Sequence, residues 1–98
     1  MRITLEMPAV LTCAVSECVY NVEGACHARA ITIGDGVHPG CDTFLRGSAR
    51  HTHRRDNAGV GACKVTGCRH NDDFECTAAS IGVGMEQGSV NCMTFEAR

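Results

Sequence analysis

Large aromatic side chains are almost missing from this chain, which has no tryptophan, one tyrosine and three phenylalanines among its 98 residues. Such side chains usually dominate core burial, and the aliphatic residues do not make up the deficit. Val, Ile, Leu and Phe together number 19 of 98, near the floor of roughly 20% below which a chain struggles to build a core. The apolar fraction of 44% overstates what can be buried, because eleven alanines and eight cysteines inflate it. Ordering each residue costs on the order of 1.5 kcal/mol, so a chain this poor in oily side chains needs disulfides, a metal or association to hold it.

Long apolar runs are missing as well. No stretch approaches the roughly 20 residues that span a membrane, so no membrane contact is expected. The opening segment Met1-Arg2-Ile3-Thr4-Leu5-Glu6-Met7-Pro8 is interrupted by Glu6 and Pro8 and does not supply the apolar run of about 7 to 15 residues of a secretory signal. The expected location is the cytoplasm, where cysteines serve as metal ligands more often than as disulfides. No charge of one sign dominates. A net charge of −2 argues against a general nucleic-acid binder, and two divalent ions on eight thiolates would carry it to about −6. Catalytic signatures are lacking too: there is no glycine-rich phosphate loop, nucleophile elbow or HExxH pattern, and the chain reads as a non-enzyme.

What the chain does have is cysteine, arranged twice over. Sliding the sequence by fifty residues superposes Cys13 on Cys63, Val15 on Val65, Cys18 on Cys68, Asn21 on Asn71, Cys26 on Cys76, Ala28 on Ala78, Ile31 on Ile81 and Gly34 on Gly84. One inserted residue then brings Cys41-Asp42-Thr43-Phe44 onto Cys92-Met93-Thr94-Phe95. Each half reads C-x4-C-x7-C, then C-x-T-F after 14 or 15 residues. The repeats span 8–45 and 58–98, joined by a polar, basic linker over 46–57. Alternation of β-branched residues in Ala30-Ile31-Thr32-Ile33 and Ser80-Ile81-Gly82-Val83 predicts two short strands, each stopping at a glycine, Gly34 or Gly84. Asn21-Val22-Glu23-Gly24 and Asn71-Asp72-Asp73 read as turns, and residues 2–7 alternate as an edge strand would. No helical period is long enough to predict a helix. The fold class is a small metal-stapled protein of two tandem irregular, β-rich four-cysteine modules with short strands and little helix.

Four thiolates in a tetrahedron make a closed structural zinc site. Each repeat supplies one set: Cys13, Cys18, Cys26 and Cys41, then Cys63, Cys68, Cys76 and Cys92. The first pair of each set has the four-residue spacing of many metal-binding pairs, although C-x2-C would be a sharper sign. Whether the ligands of one site all come from one repeat stays open. A structural zinc contributes on the order of 10 to 16 kcal/mol of apparent free energy, more than this core can supply, so loss of metal should unfold the chain. Iron uses the same ligands, but neither ferredoxin spacings nor paired C-x2-C motifs are present, which favours two zinc ions per chain.

Thr43 and Thr94 can orient a sulfur or cap a loop, and Phe44 and Phe95 can shield the site from water; a turn residue and a core aromatic would look the same. His27, His38, His51, His53 and His70 are weak ligand candidates, since His27 and His38 have no histidine counterpart in the second repeat. His51 and His53, among Arg50, Arg54 and Arg55, form a short basic patch. Nucleic-acid contact, if made, would run through those three arginines, though such a run is more often a solvated linker.

The segments Cys13-Ala14-Val15-Ser16-Glu17-Cys18-Val19-Tyr20-Asn21 and Cys26-His27-Ala28-Arg29-Ala30-Ile31 resemble the bacterial family known as domain of unknown function 1540, especially its two-copy actinobacterial members. The second copy departs from the pattern with His70 in place of the tyrosine and Met93 before the threonine, which leaves its cysteines intact. The resemblance implies a four-cysteine, metal-binding module and no particular activity. The function expected is therefore a structural zinc module that acts as an adaptor for a protein partner. The alternatives are an iron-binding electron carrier and a metal or redox sensor.

Overall fold

The computed structural model describes residues 7–34, 36–50 and 56–98. Nine strands appear and no helix occurs among the described residues, so none there is long and apolar enough to cross a membrane. They are β1 (Ala9–Cys13), β2 (Asn21–Val22), β3 (Ala25–Cys26), β4 (Ala30–Ile33), β5 (Gly59–Cys63), β6 (Asn71–Asp72), β7 (Glu75–Cys76), β8 (Ser80–Glu86) and β9 (Ser89–Cys92).

The predicted strand over 30–33 forms as read, with Ile31 and Ile33 buried and Ala30 exposed. The expected turns are the tips of two-residue hairpins. Glu23 and Gly24 (φ 55° and 82°) join β2 to β3, and Asp73 and Phe74 (φ 53° and 66°) join β6 to β7. Positive φ at both central residues is what a hairpin of this length requires, because that twist matches the flanking strands. The second long strand corrects the expectation that Gly84 ends it: β8 runs on to Glu86 and returns through Gln87 and Gly88 into β9. In the first repeat Gly34 does end β4, at φ 94°. Among the described residues the segment after it bridges β4 at Cys41 alone, with Gly34 N–H donating to Gly40 O at 2.7 Å. The edge strand expected over 2–7 lies almost wholly outside the described residues; Met7 is outside any strand.

The two repeats do not fold side by side. Five strands form one sheet in the order β4-β5-β1-β8-β9, and its pairings cross between repeats. At the centre β1 and β5 are antiparallel, with Ala9 opposite Gly59. On either side β1 pairs parallel with β8, and β5 with β4. Equivalent residues meet each other: Val10 N–H donates to Ala58 O at 2.8 Å and Val60 N–H to Pro8 O at 3.0 Å. A second such meeting joins Gly40 to Asn91, flanked by Cys41 N–H to Val90 O at 2.8 Å and Cys92 N–H to Pro39 O at 2.7 Å. The chain thus has an internal two-fold relation, as a symmetric dimer would.

The core is as thin as the composition implies. Ile31, Val10 and Val65 are the largest fully buried side chains, and Cys13, Cys18, Cys26, Cys63 and Cys68 are buried with them. In the linker, Gly47 N–H donates to Glu17 O, and Arg50 donates to the carbonyls of Gly47, Ala49 and Ser16. His51, His53, Arg54 and Arg55 lie outside the described residues.

Candidate metal centres

Strand ends and turns carry every cysteine. Cys13 closes β1 and Cys26 closes β3; Cys18 follows in a turn held by Cys18 N–H to Val15 O, and Cys41 bridges Ile33. These four line one cavity of about 10 Å³ with Tyr20, Thr43 and Phe44. Cys63, Cys68, Cys76 and Cys92 line a second, of about 20 Å³, with His70, Thr94 and Phe95. Each set of four comes from one repeat, while the other repeat supplies walls: Val83 and Val90 at the first cavity, Ile33 and Pro39 at the second. A space of this size suits an ion or a water molecule, far below the roughly 300 Å³ at which small-molecule pockets begin.

All eight cysteines are free thiols. Burial pushes the Cys41 thiol up from its ordinary 9.0 to about 11, the N–H groups of Thr43 and Phe44 oppose the rise, and the nearby Cys26 and Cys18 sulfurs add to it. The same causes act on Cys92, raised first by burial, lowered by the N–H groups of Thr94 and Phe95, and raised by Cys76 and Cys68. Cys26 and Cys76 are also raised chiefly by burial, against one backbone N–H each, from Ala28 and Ala78. The backbone thus aims donors at these sulfurs, as a thiolate needs, while burial and neighbouring sulfurs disfavour the negative charge. A cation would reverse that balance. The sulfurs do not stand at coordinating distance: among the described residues no three His, Cys, Asp or Glu side chains are arranged to hold a metal. Closing four of them to the roughly 2.3 Å of a zinc–sulfur bond takes movement of the side chains.

Of the roles weighed for the threonines, the hydroxyl takes the capping one. Thr43 Oγ1 accepts from Thr32 N–H at 3.2 Å and Thr94 Oγ1 from Gly82 N–H at 3.1 Å, tying the C-x-T-F segment to β4 or β8. Phe44 and Phe95 pack against the core and wall the cavities. The Arg46 guanidinium lies 5.9 Å over the Phe44 ring and pairs with Glu17. Among the histidines, His70 lines the second cavity while its Nε2 pairs with Glu96 at 2.9 Å. His27 Nδ1 meets Asp56 O at 3.1 Å, and His38 is exposed. A wider open depression of about 580 Å³ lies beside Met7, Pro8, Asp72, Glu75 and Cys76; among the described residues no histidine or lysine lines it.

Sequence reasoning took Asn21 and Asn71 for turn formers and missed their larger part. Each is buried, donates to the carbonyl of the first cysteine, Cys13 at 2.7 Å or Cys63 at 2.9 Å, and accepts the N–H at its hairpin tip. Their match in both repeats was the available signal.

Both repeats match the model of the family described as Domain of Unknown Function (DUF1540), over residues 11–56 and 62–95. The chain belongs to the DUF1540 family. No curated protein and no solved structure matches it. The two DUF1540 copies hold all eight cysteines, whereas the pairing of Ala9 with Gly59 that joins them lies outside both matched segments.

Proposed function

We propose that each DUF1540 copy binds one zinc ion through its four cysteines, and that the two ions hold the sheet together as a structural module for a protein partner. The observation carrying this reading is the pair of ion-sized cavities, each lined by four free thiols, with backbone N–H groups directed at Cys26, Cys41, Cys76 and Cys92. With four protein ligands per ion no position stays open for substrate or water, which is the character of structural rather than catalytic zinc. The thiols would persist in a reducing compartment such as the cytoplasm. Donors at the sulfurs also suit iron, whose thiolate sites are coloured, so a visible spectrum that bleaches on reduction would replace zinc structure with electron transfer. Nucleic-acid binding gains little support, since the Arg50 guanidinium is occupied by backbone carbonyls.

X-ray absorption at the zinc edge of the loaded protein tests the ligand set. Four sulfur neighbours at about 2.3 Å are expected. A shell containing nitrogen or oxygen would overturn it.

A further inference from the structure

We infer that the two metal sites load as a unit, an ion in one copy raising the affinity of the other through the shared sheet. This rests on the metal reading above and adds a property that two independent modules would not have.

Two rungs of the sheet carry the inference. In the first, Cys13 on β1 is registered opposite Val83 on β8, and Val83 is registered opposite Cys92 on β9. In the second, Cys63 on β5 is opposite Ile33 on β4, and Ile33 bridges Cys41. Each rung therefore starts at the first cysteine of one site and ends at the last cysteine of the other. Backbone bonds fix them: Ala14 N–H to Val83 O at 2.9 Å and Lys64 N–H to Ile33 O at 2.7 Å, with Cys41 and Cys92 each donating across to the opposite copy. Val83 and Ile33 are also walls of the cavities. Cys18 has a local support, Val15 O; Cys26 pairs with Asn21, and its carbonyl also accepts from Ala58 N–H of the other copy at 2.9 Å; Cys68 and Cys76 have Val65 O and the pairing with Asn71.

Half of each ligand set, and Cys26 as well, is thus tied to the backbone of the other copy. An ion drawing Cys13 and Cys41 together fixes both rungs, and with them the backbone of Cys63 and Cys92. Because the core is thin, the ordering cost of that frame falls on the first ion, and the second meets a site already set. That difference in cost is a coupling free energy, and it is reciprocal.

Native mass spectrometry of the full chain, with zinc added at one ion per protein, reads the coupling directly. Equal independent sites would put roughly half of the molecules in the singly loaded form. The expected spectrum is dominated by empty and doubly loaded protein, with the one-zinc species well below that share. A one-zinc fraction at or above half overturns the coupling and leaves zinc binding intact. Protein that takes up no zinc at any ratio overturns both. In the variant Cys18→Ser, which disturbs the first site away from either rung, chelator competition should show the second site weakened about 5- to 150-fold, the usual range of such coupling. Unchanged affinity there contradicts the inference.

Discussion

Phe74 occupies a left-handed position, φ 66°, that its counterpart Gly24 fills at 82°, and more than half of its surface is exposed, 57%. An L side chain there costs about 1 kcal/mol that glycine avoids, and little burial offsets it. Phe74→Gly should therefore raise stability by about 0.5–1 kcal/mol, read as a melting temperature several degrees higher; a lower one would show that the ring packs in a way its exposure denies. The buried asparagines should respond oppositely. Asn21→Ala or Asn71→Ala strips a hydrogen bond from the Cys13 or Cys63 carbonyl and should cost about 1–3 kcal/mol in urea denaturation. A loss under 0.5 kcal/mol would assign the pin to backbone bonds alone. The turn at each asparagine was legible from residue type; its reach to a residue eight positions back was not, since side-chain contacts of that range leave no local pattern.

At the scale of elements, the C-x-T-F segments deliver Cys41 and Cys92, half-buried thiols whose ionisation burial opposes. A thiol whose folded pKa is raised, as Cys41's is from 9.0 to about 11, stabilises the fold fully below the unfolded value and ceases to as pH climbs through the folded one. What fold metal-free protein retains should accordingly be lost between about pH 9 and 11, read as falling far-ultraviolet circular dichroism, whereas zinc-loaded protein, its thiolates already formed, should keep its signal; residual structure unchanged over that range would contradict the burial of these sulfurs. Strand β4 was readable from its alternation. The extension of β8 was not, because it depends on β9 turning back through Gln87 and Gly88 to pair with it, which no alternation within β8 announces. Strands β1 and β5 escaped notice for a different reason. Ala9–Cys13 is a nearly unbroken apolar run and Gly59–Cys63 is mostly small residues, neither with a clean period, and they are strands because neighbours pair on both sides.

At the scale of the whole molecule, one five-stranded sheet joins the copies with an internal two-fold relation; the duplication was plain from sequence and the exchange of strands between copies was not. Pairing of β1 with β8 and β5 with β4 joins segments far apart in the chain, and nothing in either segment names its partner. The consequence is cooperative: stripping metal with a chelator should collapse both copies in a single transition by far-ultraviolet circular dichroism, and two separated transitions would mean that the copies stand alone. Beneath all of this lies the claim that thiolate-bound ions hold a chain whose oily interior is too small. Elemental analysis of protein purified without added metal, paired with a count of reactive thiols after unfolding in chelator, tests it most directly. The prediction is two zinc ions per chain and eight titratable thiols. Protein carrying no metal, with its cysteines joined as disulfides, would contradict it.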